Sequence, residues 1–89
     1  MNLYNCQGVL WAETEEGRDL GDILDDVRQA HVRRLGSEPN VVLVHPEHPA
    51  LQDNISAIDG IELWPSRTMQ PNWYFAIRLE EMKWNTTQP

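Results

Sequence analysis

The sequence predicts a mixed α/β domain, and three stretches of it carry that prediction. Apolar residues recur at three-and-four spacing between Asp19 and Leu35, run unbroken from Val41 to Val44, and alternate with a period of two from Trp73 to Glu80. The first pattern belongs to one face of a helix, the second to a strand covered on both faces, and the third to a regularly alternating strand. The class is α/β, with α+β as the alternative.

The chain opens with Tyr4, Cys6, Val9, Leu10 and Trp11 around Gly8, a first strand near residues 3 to 12 with a bend or bulge expected at the glycine. Glu13 to Gly17 is a polar connection. Leu20, Ile23, Leu24, Val27, Ala30, His31 and Leu35 then mark the buried side of a helix, while Asp22, Asp25, Asp26, Gln29 and Arg33 fall opposite. Its charges are also sorted by end. Asp19, Asp22, Asp25 and Asp26 precede Arg28, Arg33 and Arg34, the order that the helix dipole favours by about 0.3–1 kcal/mol per well-placed charge. Gly36 is the expected left-handed residue after the helix.

Val41 to Val44 is expected to be a central strand, ended by His45-Pro46-Glu47-His48-Pro49. Pro49 is suited to the first position of a short helix through about Asn54, placed over a sheet edge or the other face. Asp59-Gly60 is a turn, Ile61 to Trp64 a third strand, and Ser66 to Asn72 a candidate functional loop anchored by Met69. A last strand covers residues 73 to 80, a short helical turn follows to Trp84, and 85–89 is a frayed tail. These elements make one domain over residues 1–84, with a four-stranded mixed sheet, one long helix and one short one. A helix between the first two strands points to a right-handed parallel crossover.

Composition narrows the function classes. The chain has 89 residues, a formal net charge of −7 and a single lysine, Lys83, which disfavours binding to nucleic-acid phosphates. Seven acids and one arginine lie between Glu13 and Asp26, so this segment holds −6 of the net charge. Cys6 is the lone cysteine, so no intrachain disulfide is available, and a cytoplasmic location is the default expectation. No run approaches the roughly eighteen apolar residues that a membrane span needs, so no membrane partner is expected.

His45, Glu47 and His48, with His31 available from the helix, are the concentrated metal-ligand types. Both His45 and His48 abut prolines, and the turn-residue reading is preferred; no metal or other cofactor is expected. Nucleophilic catalysis has no support, because Cys6 lacks a neighbouring base and Ser66 and Thr68 have only Arg67 between them. Asp25 and Asp26 point about 100° apart on a helix and do not form a coordinating pair. Trp11, Trp64 and Trp73 lie in strands where core packing is the default. Trp64 and Trp84 are nevertheless the indoles assigned to partner contact, because tryptophan is enriched at interface hot spots and a small core has little room for four.

The order helix, Leu35-Gly36, Pro39-Asn40, Val41-Val42-Leu43-Val44-His45-Pro46, Leu51, Gly60-Ile61-Glu62-Leu63, Ser66, Met69 and a closing strand from Trp73 resembles a unit of tailed-phage capsid subunits and the related encapsulins. The resemblance spans about Leu24 to Ile77 and covers one subdomain of a subunit several times longer. It implies a phage or mobile-element setting and no catalysis.

The expectation is therefore a non-enzymatic interaction or assembly module that binds protein or itself through Asp22, Asp25, Asp26, Trp64 and Trp84, with homo-oligomerisation as one outcome. Two alternatives stand beside it. One is an acidic nucleic-acid mimic that blocks a basic protein; the other is a small metal-dependent enzyme using His45 and His48.

Overall fold

The computed structural model describes residues 8–79. The sequence-based assignments to residues 3–7, to Cys6, to Glu80, to the turn ending at Trp84 and to the 85–89 tail lie outside those residues. Between these limits the chain forms β1 (Gly8–Ala12), α1 (Leu20–Leu35), β2 (Val41–Val44), α2 (Pro49–Gln52), β3 (Ala57–Ile58), β4 (Ile61–Pro65) and β5 (Trp73–Ile77). The mixed α/β class holds, but the sheet has five strands where four were expected.

The extra strand is β3. Its two residues are too few to produce a period, and it exists because Asp59 and Gly60, at φ 51° and 84°, fold Ala57 and Ile58 back onto β4. Positive φ at both central positions belongs to the tight hairpin turns that Asp-Gly favours.

The strand order is β1-β5-β2-β4-β3. β5 is antiparallel to both β1 and β2, so those two are parallel to each other, and β2 pairs parallel with β4. The α1 connection therefore joins parallel strands as expected. They are not neighbours, however, because β5, the last strand in sequence, is inserted between them. This is a split crossover.

The helical period translates directly into packing. Ile23, Leu24 and Val27 of α1 meet Val42 and Val44 of β2, Ile61 and Leu63 of β4, and Tyr74 and Ala76 of β5. Ala50 and Leu51 of α2 join the same cluster, which puts the short helix on the α1 side of the sheet. Gly36 takes the left-handed conformation at φ 77°, and its N–H donates to the Val32 carbonyl at 2.8 Å. The opposite face gathers Val41, Leu43, Met69, Ile77 and Leu79, with Trp64 and Phe75 against them. β2 thus has both faces buried, as its unbroken apolar run requires.

Strand β5 carries a correction. Its period of two is real, but Tyr74 and Ala76 lie in the main core, whereas Trp73 is 38% exposed on the other side. Two buried faces leave no polar side for alternation to identify.

Candidate functional site

Because β1 and β2 run the same way, both end at one edge of the sheet, where β5 begins. Open α/β sheets hold ligands in the crevice beyond the carboxyl ends of their strands. Here that edge carries a cleft of about 990 Å³, walled by the β1–α1 loop, the start of α1, the β2–α2 turn and Pro71, Asn72 and Tyr74.

Glu13 organises one wall. Its Oε1 accepts from Trp11 Nε1–H and from Arg18 Nη1–H, each at 3.1 Å, and its Oε2 accepts the Glu15 backbone N–H at 3.1 Å. The Trp11 indole hydrogen bond, followed by the Glu15 N–H, holds the Glu13 carboxyl below its usual range, with Arg18 adding to the effect. Arg18 Nη2 also pairs with Asp26 at 2.9 Å and so ties the loop to α1. That contact, with the charge of Glu13, raises the pKa of the guanidinium further.

His48 and Tyr74 form the opposite wall. His48 is the N-cap of α2: its Nδ1 accepts the Ala50 N–H at 3.0 Å. An imidazole nitrogen that accepts carries no proton, so the ring is neutral and its hydrogen sits on Nε2. That hydrogen is donated to Tyr74 Oη at 3.0 Å, with the rings edge to face at 5.6 Å. Burial, and secondarily His45, lowers the His48 pKa, while burial and the charge of Glu13 raise that of Tyr74. Both groups are therefore neutral at physiological pH.

The predicted site residues are dispersed. Asp25 pairs with Arg28 and accepts from Gln29 Nε2–H at 2.9 Å, Asp26 pairs with Arg18, and Asp22 is exposed in the first turn of α1. Trp64 is half-buried against the second core cluster and donates its indole N–H to Glu62 at 2.9 Å. Trp84 lies outside the described residues.

His45 and His48 do line the cleft, with Glu47 beside them, as turn residues. His45 Nδ1 accepts the Glu47 N–H at 3.0 Å, and both nitrogens of His48 are engaged. His31 is fully buried, its Nδ1–H directed at the Ser37 carbonyl at 2.6 Å. Among the described residues no group of three or more His, Cys, Asp or Glu side chains is arranged to hold a metal ion. The end of the Ser66–Asn72 loop contributes Pro71 and Asn72 to the cleft, while Met69 is buried in the second cluster.

Sequence reasoning missed Tyr74, which reads as an ordinary strand residue, and the hub role of Glu13. The only legible signal was the acidic bias of residues 13 to 19.

Six acids line the cleft (Glu13, Glu15, Glu16, Asp19, Glu47 and Asp53) against one arginine, Arg18, a net of −5. The chemistry available is cation recognition combined with hydrogen bonding from a buried, neutral pair. No protein-family model matches the chain, and no curated protein or solved structure shows significant similarity to it. Among the described residues no helix is long and apolar enough to cross a membrane.

Proposed function

We propose that this chain is a non-enzymatic interaction module whose acidic surface receives a basic protein partner. The observation that supports this most is the cleft with its net lining charge of −5, since fields of one sign are focused in a concave, low-dielectric site. The polar groups of the cleft are arranged to hold structure: Glu13 orders a loop and His48 caps a helix. Calorimetric titration with a basic protein at low and moderate salt tests the reading. Saturable binding that weakens as salt rises is expected, and salt-insensitive binding would remove the electrostatic basis.

The nucleic-acid-mimic alternative requires the outer side of α1 to be the contact. Internal pairing of Asp25 with Arg28 and of Asp26 with Arg18 lowers the negative field on that side, so this alternative ranks below the cleft.

A second reading rests on a different observation. β1 is, among the described residues, an edge strand without charge or proline, and it presents Leu10, 52% exposed, opposite Phe75. Pairing of this edge with that of a second copy is the assembly reading, and the phage or mobile-element setting belongs to it.

A further inference from the structure

The hydroxyl of Tyr74 has a donor without an acceptor among the described residues. Tyr74 is 3% exposed, yet it forms part of the cleft lining. The direction of its one hydrogen bond is imposed from outside the pair. The Ala50 N–H can only donate, so His48 Nδ1 must accept, Nε2 must carry the hydrogen, and Tyr74 Oη must receive it. The O–H hydrogen of Tyr74 is then left over, and His48 is its one hydrogen-bond partner among the described residues. A buried donor without a partner carries a desolvation penalty that an incoming acceptor removes.

The rest of the cleft specifies the other half of the ligand. Glu15, Glu16, Asp19, Glu47 and Asp53 are exposed around it, and Arg18 is occupied by Glu13 and Asp26. An anion is repelled here despite the nearby N-terminus of α1. Leu20, Ile23, Ala50, Ile55 and Ile58 add apolar lining of the kind along which the methylene stem of a lysine or arginine packs while its head stays among carboxylates. The volume, about 990 Å³, matches the upper range of small-ligand pockets, roughly 300–1,000 Å³.

We propose that the cleft binds a peptide segment rich in lysine and arginine, with a backbone carbonyl of the peptide accepting the Tyr74 O–H and its cationic side chains lying among the rim carboxylates. This rests on the interaction-module reading and names its contact point. A polycation without a carbonyl satisfies only the electrostatic half.

The test is a two-dimensional amide NMR titration of the full chain with a blocked, lysine- and arginine-rich hexapeptide, and in parallel with spermine, for wild type and Tyr74→Phe. Phenylalanine keeps the ring in the core, and a thermal melt of the variant establishes that it is folded. The hexapeptide is expected to move the amides of residues 13–20, 45–53 and 72–74. Tyr74→Phe should weaken the peptide about fivefold, the equivalent of one ordinary hydrogen bond, while leaving spermine within about twofold. Peptide binding that Tyr74→Phe leaves unchanged, or that maps to Asp22 and the outer side of α1, overturns the cleft proposal and leaves the acidic-module reading standing. Absence of saturable binding by either cation overturns both.

Discussion

The Phe75 ring occupies the space that a side chain at Gly8 would need: a Cβ at position 8 would lie 2.6 Å from Phe75 Cζ, 2.6 Å from the Ala76 carbonyl oxygen and 2.9 Å from Ile77 Cγ2. The expected bend at this glycine is thus a close approach of β5 to β1, in which a backbone atom and two side chains crowd one spot. Gly8→Ala should destabilise the fold by about 1–3 kcal/mol, as overpacking does, because the carbonyl cannot move without disturbing the β1–β5 ladder. Urea denaturation measures this, and an unchanged midpoint would show that the ring and the strand yield freely.

Asn40 joins the ends of the core. Its Nδ2–H donates to the Leu79 carbonyl at 3.0 Å, and its Oδ1 accepts the Leu79 N–H at 2.9 Å. Its own backbone also bridges two strands, through Asn40 N–H to the Ile77 carbonyl and Glu62 N–H to the Asn40 carbonyl. Asn40→Ala removes only the side-chain pair and should cost about 1–3 kcal/mol, the sum of two ordinary hydrogen bonds. Hydrogen exchange at the Leu79 amide should accelerate in the same variant.

Stability should fall as the pH drops below about 6.5, the ordinary histidine value, because the folded state holds His48 at a lowered pKa. In that window the unfolded chain binds a proton that the folded chain refuses. The contribution of neutral His48 is therefore complete above the unfolded pKa and is lost as pH falls through the folded one. Asparagine also caps helices. His48→Asn should accordingly remove this part of the pH dependence while costing about 1 kcal/mol at pH 7.5 for the lost hydrogen bond to Tyr74, which denaturation curves at pH 5.5 and 7.5 will show. Glu13, whose folded pKa is lowered from 4.5, acts in the same direction but in a more acidic window.

The exposed Leu10 at the centre of β1 bears on assembly. If the β1 edge pairs two copies, light scattering after size exclusion should show a mass that rises with concentration, and Leu10→Lys should return the chain to monomer, since charge on an edge blocks strand addition. A monomer at every concentration in the wild type disposes of the assembly reading without touching the cleft.

The parts of this protein legible in its sequence are those decided within a few neighbouring residues. The α1 face of Ile23, Leu24 and Val27, the stop at Gly36, the doubly buried Val41–Val44 strand and the Pro49 start of α2 all follow from local period and cap chemistry. Tertiary structure alone decided the rest. The insertion of β5 between β1 and β2 is a pairing between distant segments, the short β3 exists only as the return of a hairpin on β4, and the burial of Tyr74 depends on which side of the sheet α1 covers. The cleft is the clearest case, since Glu13 and Tyr74 look ordinary in their own surroundings and come to line one cleft with His48 only where the ends of β1 and β2 meet the start of β5. Local sequence carries the period of an element and the chemistry of its ends, whereas strand order and site geometry depend on packing between residues far apart in the chain.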